Sequence, residues 1–345
     1  MKILYYNWIY YPHPLSGGRT LVCRYYAKHM ALRGHFVAIL TSRYRQTPRI
    51  EQKEGYHIYR ISLQVSPNRK LNLVKRPVSM LLEKIWMQRA VSYFDLIHVH
   101  APTYGIPLLK WRSWSTDRRP VFITVHGIPP GRGLRNLLYD IEKADIVTAV
   151  SEKIAQKIRK LTGRKTTVLP NGVDLKEFKP TETPKNKTPT LIYVSGTAEY
   201  KGYKDLLKAL QILKKRKIEI KTILLGPGLK RVNHDQMPKY YSKADIFVLP
   251  SHREGLSMAL LEAMAMELAV IATKVGGISD AVKHMYNGIL IEPRNPTELA
   301  DMIQLLAQNP HLRKKLGKNA RKTVQEKYNI EKTINKLEKL YLKYT

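Results

Sequence analysis

The chain is short of acid, of cysteine and of long apolar runs. Its 345 residues hold 27 Asp and Glu against 60 Lys and Arg, a formal charge of +33. So large an excess points to an anionic partner: nucleic acid, phospholipid or a phosphorylated substrate. A solvated basic surface would account for the same number. Cys23 is the one cysteine, which excludes an intrachain disulfide and fits a reducing compartment. Its spacing to the histidines forms no metal-ligand pattern. No stretch of about 18 apolar residues occurs, so no membrane span is expected. The start, Met1-Lys2-Ile3-Leu4-Tyr5-Tyr6-Asn7, looks like a strand. It lacks the longer apolar run and small-residue cleavage site of a signal peptide. A cytoplasmic protein is the expectation. No zinc-finger spacing or RNA-recognition signature is present, and no nucleic acid partner is expected.

What is present is an alternation. Apolar, β-branched runs recur, each followed by a helical pattern. The first set is Lys2–Asn7, Val37–Ser42, Leu96–His100, Val121–Val125 and Ile146–Val150; the second is Leu191–Ser195, Lys221–Leu225, Ile246–Leu249, Ala269–Ala272 and Gly288–Ile291. Such runs predict parallel sheets covered on both faces. Between the sets, Lys176–Thr190 carries Pro180, Pro184 and Pro189, a linker composition. Ala144-Asp145-Ile146 and Ala244-Asp245-Ile246 each follow a helical pattern and open a strand, a faint echo between two similar halves. The expected architecture is α/β, with two doubly wound, Rossmann-like domains facing across a cleft. Their bounds are 1–178 and 179–328, with a terminal helix over 329–345 whose Ile334, Leu337, Leu340 and Tyr341 share one face. In such sheets ligands bind outside the carboxyl ends of the strands.

Ser251-His252-Arg253-Glu254-Gly255-Leu256-Ser257-Met258-Ala259-Leu260-Leu261-Glu262 is the most informative segment. A buried strand feeds a glycine turn that starts a helix, so backbone N–H groups collect where an anion is favoured. Glu254 and Glu262, on either side, can accept hydrogen bonds from sugar hydroxyls. A diphosphate flanked by two sugars is the ligand this arrangement predicts. Other pieces stand at strand ends. Gly17-Gly18 precedes a helical pattern, Gly34-His35 separates it from the second strand with His35 as a turn residue, and His126 closes Thr124-Val125-His126-Gly127. Pro170-Asn171-Gly172-Val173-Asp174 forms a tight turn, and Lys201-Gly202 follows Tyr193-Val194-Ser195-Gly196. Read singly, a histidine placed like His126 is structural as often as functional, and a lysine placed like Lys201 is more often a surface residue.

In order, with Val270-Ile271-Ala272-Thr273, Gly276-Gly277 and Asn287-Gly288, these pieces resemble the retaining, GT-B-fold glycosyltransferases of group 1 that use nucleotide sugars. The resemblance implies that Gly17 and Gly18 approach the donor diphosphate and that Lys201 pairs with it. His126 would touch the donor sugar near the reacting carbon, and Glu254 would contact the transferred sugar. Gly255, Leu256 and Ser257 would offer backbone N–H groups, and Glu262 would accept the ribose hydroxyls. It also implies a terminal helix crossing back to the first domain, retention of anomeric configuration and a reaction without a metal. No Asp-x-Asp triplet, the metal clamp of the other major glycosyltransferase fold, occurs in the chain. No cofactor is expected beyond a UDP or GDP sugar as donor.

The chain departs from the family pattern at Gly196-Thr197, where an arginine usually follows the glycine. One of two cationic clamps is therefore missing, and Arg253 is the candidate substitute. The stretch between Gly226-Pro227-Gly228 and Ala244 is short by about one βα unit, which leaves the base open. Glu267 and Ala269 stand where the family usually has Gly and Pro.

Residues 1–180 hold 31 Lys and Arg against 11 Asp and Glu, a net of +20. Nine of these cations fall between Arg43 and Arg76, beside only Glu51 and Glu54. Lys110-Trp111-Arg112-Ser113-Trp114, Arg118, Arg119, Arg132 and Arg135 follow. Cations interleaved with tryptophan predict peripheral association with an anionic membrane surface and a lipid-linked or surface-glycan acceptor. Val78, Leu81, Leu82, Ile85 and Trp86 keep helical spacing and read as core. Two other readings remain open: a sugar-nucleotide epimerase or phosphorylase on the same fold, and a nucleic-acid-binding protein.

Overall fold

A computed structural model describes residues 1–12, 17–60, 91–101, 119–181 and 188–345. Expectations that fall on Pro184, on Arg69 to Arg76, on Val78 to Trp86 and on Lys110 to Arg118 lie outside these residues. The chain divides into two compact units. Unit 1 is Met1–Val150, Ile154–Leu169 and Ile334–Thr345, and unit 2 is Ser151–Lys153 and Pro170–Thr333. Unit 2 begins ahead of the proline-rich stretch because the Pro170 turn is bonded into it. Val173 N–H donates to Tyr328 O, and Ile330 N–H donates to Val173 O.

The sheet of unit 1 contains β1 (Lys2–Tyr6), β2 (Phe36–Thr41), β3 (Ile50–Lys53), β4 (Tyr56–Arg60), β5 (Leu96–Ala101), β6 (Val121–Val125), β7 (Ile146–Ala149) and β8 (Thr166–Val168). They lie in the order β3-β4-β2-β1-β5-β6-β7-β8. Pairing is parallel except between β3 and β4. Helices α1 (Gly18–Leu32), α2 (Arg132–Lys143) and α3 (Glu152–Thr162) follow β1, β6 and β7. The β3–β4 hairpin falls inside the cationic stretch. There Arg60 is buried, donating to Pro48 O at 3.2 Å, Tyr11 O at 3.1 Å and Glu51 at 2.7 Å. It is a structural arginine and drops out of the surface charge.

Unit 2 holds a five-stranded parallel sheet of β9 (Thr190–Val194), β10 (Lys221–Leu225), β11 (Ile246–Leu249), β12 (Ala269–Thr273) and β13 (Ile289–Ile291), in the order β10-β9-β11-β12-β13. Its helices are α4 (Tyr203–Lys215), α5 (Met237–Tyr241), α6 (Met258–Ala265), α7 (Ile278–Ala281), α8 (Pro296–Gln308) and α9 (Pro310–Lys327). Leu191, Tyr193, Ile246, Val248 and Ile271 of the sheet pack with Leu206, Leu213, Ile303 and Leu306 of the helices. Helices α8 and α9 start cleanly because Asn295 and Asn309 accept from Glu298 N–H and Leu312 N–H, with proline at the first helical position. The last helix, α10 (Ile330–Leu342), belongs to unit 1 from Ile334 on. Within unit 1 its Glu338 accepts from Arg33 at 2.6 Å and sits 2.7 Å from His35. The turn histidine thus anchors the terminal segment.

The echo read from the sequence has a physical basis, and among the described residues it occurs three times. An aspartate just before a strand bonds to the start of a neighbouring strand, donating its N–H and accepting with its carboxylate. Asp95 does this to Lys2, with both distances 2.8 Å. Asp145 does it to Val121 at 2.9 and 2.8 Å, and Asp245 to Thr190 at 2.8 and 2.9 Å. Each pair fixes the register of parallel strands at their amino ends. Asp245 is buried, so its loss leaves an amide unsatisfied away from water. Asp245→Ala is expected to destabilise the protein by about 1.5–3 kcal/mol, the worth of a hydrogen bond to a charged group. Urea unfolding checks this, and a change too small to resolve would contradict the register role.

Candidate active site

In a doubly wound sheet the loops at the carboxyl ends diverge where the strand order reverses, and the crevice between them takes ligands. In unit 2 this point lies between β9 and β11. The loop after β9 carries Gly196, Thr197 and Lys201; the loop after β11 carries Arg253, Glu254, Gly255 and Leu256. Topology therefore brings these residues together. Lys201 Nζ donates to Glu254 Oε2 at 2.8 Å, and both side chains are largely buried. Burial alone would lower the Lys201 pKa, but the Glu254 carboxylate more than offsets it and raises it above the ordinary lysine value. Lys201 is thus a fixed cation. The guanidinium of Arg253 lies 5.2 Å from the Tyr200 ring centre and Lys201 Nζ lies 5.3 Å from it, so one exposed aromatic ring gathers both cations.

The loops are held rigidly. Tyr193 Oη donates to Gly196 O at 2.8 Å, and Thr197 N–H donates to Pro227 O at 3.0 Å. Gly202 has φ +68°, and a Cβ there would lie 1.9 Å from Pro250 O. Gly276, at φ +51°, would place a Cβ 1.8 Å from Glu254 O. Both positions need glycine for conformation and for space, and between them the turn after β11 is clamped. Its carbonyls are also tied back: Gly255 O accepts from Gly277 N–H at 2.6 Å, and Leu256 O accepts from Asn171 Nδ2 at 2.7 Å. A trans peptide directs its C=O and its N–H to opposite sides. The N–H groups of Leu256 and Ser257 therefore face away from those partners. Ser257 caps α6, its hydroxyl accepting from Leu260 N–H.

Glu262 is buried on α6 and already engaged. Tyr241 Oη donates to Oε2 at 2.9 Å and His234 Nε2 lies 2.9 Å from Oε1. The other His234 nitrogen lies 3.5 Å from Glu177, and its ring packs against Phe178 at 5.5 Å. Burial opposes charge on His234, yet Glu262 and Glu177 outweigh it and lift its pKa to about 9. His234, Tyr241 and Glu177 were not singled out in the sequence. They come from the short stretch before Ala244 and from the start of the linker, and no motif marks them.

In unit 1, β1 and β5 flank the reversal of strand order. Gly17 caps α1 in extended backbone, and a Cβ there would meet nothing within 4 Å. Among the described residues nothing demands glycine at that position. His126 follows β6, and its Nε2 lies 2.9 Å from Nδ1 of His100 on β5. Burial holds His126 well below the ordinary histidine value, with the nearby charge of Arg19 acting the same way. Its partner was legible in principle, since His98-Val99-His100 puts two histidines on one face of a strand. Among the described residues no cluster of His, Cys, Asp or Glu forms a metal site.

A raised histidine pKa contributes stability that is complete below the unfolded value near 6.5 and is lost as pH rises through the folded value. His234 therefore stabilises unit 2 most below about pH 6.5 and least above about pH 9. Thermal unfolding of the wild type and of His234→Gln should differ most at pH 6 and converge by pH 10. A gap that widens with pH would contradict the Glu177–His234–Glu262 arrangement.

Two family models match the chain. Residues 175–323 match Glycosyl transferases group 1, and residues 16–177 match Glycosyltransferase Family 4. A putative teichuronic acid biosynthesis glycosyltransferase of Bacillus subtilis (strain 168) is 27% identical over 342 residues, covering 88% of this chain and 86% of the relative. In structure the chain is similar to a sucrose-phosphate synthase from Thermosynechococcus elongatus, with TM-score 0.83, 21% identity and 99% and 98% of the two chains covered. It is also similar to the Anabaena protein HepE in complex with UDP-glucose, with TM-score 0.73, 18% identity and 99% of each chain covered.

Proposed function

The chain belongs to the glycosyl transferases group 1 family and has the GT-B fold, and we propose that it moves a sugar, with retention and without a metal, from a nucleotide-diphosphate sugar to a lipid-linked or surface-glycan acceptor. The observation that carries this reading is the cationic corner at the β9–β11 reversal, where Lys201 and Arg253 meet beside Glu254 and the Gly255 turn. Glycosyl transfer leaves negative charge on the departing diphosphate, and preorganised donors stabilise it most as it develops. An ammonium has three donors, so Lys201 can hold Glu254 and still reach a phosphate oxygen. Arg253 supplies the second cation that Thr197 does not. Leu256 and Ser257 add N–H groups, and Gly17 and Gly18 allow a diphosphate close to the backbone of unit 1.

In this scheme Glu254 anchors the transferred sugar and His126 touches it near the reacting carbon. The bond from the anomeric carbon to the diphosphate oxygen breaks as the acceptor hydroxyl attacks from the same face. The departing phosphate oxygen takes the acceptor's proton. Glu262 accepts the ribose hydroxyls. Each of its oxygens keeps a second acceptor site beyond the bonds from His234 and Tyr241. UDP and GDP sugars are the candidate donors, and the UDP-glucose bound by HepE favours the first. The teichuronic acid relative favours a cell-envelope glycan acceptor. Cytoplasmic location with peripheral attachment to the inner membrane face completes the reading.

The test is turnover of UDP and GDP sugars with lipid-linked acceptors in the presence of EDTA, with the product's anomeric configuration read by NMR. An inverted product, a metal requirement or turnover without an acceptor would each overturn its part. Within the donor site, Lys201→Ala and Arg253→Ala should each slow transfer by on the order of 10²–10³, the usual loss of one such donor. Glu262→Ala should instead weaken nucleotide binding in calorimetry. Unchanged rates in both cation variants would put the diphosphate elsewhere.

For the membrane, the described part of the basic stretch offers an edge strand on which Ile50 is 65% exposed among exposed Arg45, Arg49 and Lys53. Each cation near an anionic surface contributes about 1 kcal/mol. The protein should sediment with anionic vesicles at low salt and release at about 1 M, where the Debye length is about 3 Å. Equal binding to neutral vesicles, or none to either, would favour a soluble acceptor.

A further inference from the structure

We propose that His100 is a positioning residue for the transfer reaction, fixing His126 as the neutral tautomer that carries its proton on Nδ1, so that His126 acts as a hydrogen-bond donor and not as a base. The proposal rests on the reading above in assigning His126 to the donor sugar.

Three histidines form a column that runs from the middle of β5 to the residue after β6. His98 stacks on His100 with ring centres 5.0 Å apart and planes 13° from parallel; His100 stacks on His126 at 5.2 Å and 19°. His98 and His100 are buried, and only His126 is partly exposed. On its threonine side the first ring can be read by counting protons. Thr148 Oγ1 donates to Ile123 O at 3.1 Å. A hydroxyl has one proton, so across the 2.6 Å contact Thr124 must donate to Thr148. Thr124 then accepts, at 2.7 Å, from Nε2–H of His98. Nδ1 of His98 faces the hydroxyl of Tyr341, which donates to Tyr5 at 3.2 Å.

The same reasoning carries to the next pair. His100 Nδ1 and His126 Nε2 lie 2.9 Å apart, so one ring donates and the other accepts. Nε2 of His100 is buried and has no hydrogen-bond partner among the described residues. Its surroundings are aromatic, with Tyr5 and Tyr26 ring centres at 5.8 and 5.6 Å. An orphaned N–H is the rarer defect in protein interiors than an orphaned acceptor. The bare nitrogen of His100 is therefore Nε2, and its proton sits on Nδ1 and is given to His126. Nε2 of His126 is consumed as the acceptor, which leaves the proton of that ring on Nδ1. Protonation would disrupt this order, and the environment opposes it. Burial lowers all three histidines, and His98, His126 and the Arg19 charge push His100 down further. A donor of fixed orientation can stabilise sugar oxygens while leaving the acceptor's proton to the departing phosphate.

The test is two-bond proton–nitrogen correlation NMR on the full chain labelled with ¹⁵N-histidine. In the wild type at pH 7, the His126 and His100 signals should both report protonated Nδ1. In His100→Leu, His126 should become a mixture of tautomers. Its kcat should fall on the order of tenfold, the loss of about one neutral hydrogen bond, with KM for the donor little changed. His100→Asn, which places an amide N–H near the lost Nδ1–H, should restore most of both. A wild-type His126 protonated on Nε2, or an unaltered tautomer in His100→Leu, overturns the proposal. If His100→Leu does not fold, the wild-type spectrum alone decides the tautomer. If the tautomers are as stated but His126→Ala turns over normally, the assignment of His126 to the donor sugar fails while its tautomer stands.

Discussion

Everything at the functional edges of this protein depends on strand register, and register is held at the opposite edges. A parallel strand can slide along its neighbour, and a slip of one residue would turn every side chain to the other face. Asp95, Asp145 and Asp245 prevent that by bonding, both ways, to the first residue of a neighbouring strand. With the amino ends locked, the position at which each strand runs out is set. The loops carrying Lys201, Glu254 and His126 then leave the sheets at fixed heights.

The two sheets use this constraint differently. In unit 2 the reversal of strand order gathers charge: a lysine, an arginine and two glutamates lie in or near two adjacent loops. The charges are compensated within the protein, Lys201 by Glu254 and Glu262 by His234. Burying a charge without a partner is costly, and a paired, hydrogen-bonded one is tolerated. A cationic corner of this kind can therefore exist without a bound anion. In unit 1 the corresponding edge gathers histidines and tyrosines that burial keeps neutral. Its polar groups are linked by hydrogen bonds through Thr124, Thr148 and Tyr341.

The overall charge of +33 also takes on structure. Part of it is internal: Arg60 serves carbonyls beneath the β3–β4 hairpin, and Arg24 is bound by Glu54 through two hydrogen bonds of 2.8 and 2.9 Å. Part is displayed, as at Arg45, Arg49 and Lys53 beside the exposed Ile50 on an edge strand. Charge on an edge strand also discourages pairing with another chain, so the same residues protect the fold whatever surface they meet.

By itself the sequence determined the strand runs, their parallel pairing and the glycine turn between Glu254 and the helix bearing Glu262. These are local facts: continuous apolar β-branched runs, helical spacing and turn residues act over a few positions. The ten predicted strands all lie in the two sheets, while β3, β4 and β8 were missed, two of them inside a stretch read for its charge. What tertiary structure alone decided are pairings between residues far apart in the chain. Lys201 meets Glu254, His234 meets Glu262 across 28 residues, and Tyr341 reaches His98 across 243. None of these carries a local signal, because each depends on where two loops or strands end in space. The sequence could list the candidate donors and acceptors; only the fold decided which were already satisfied by one another.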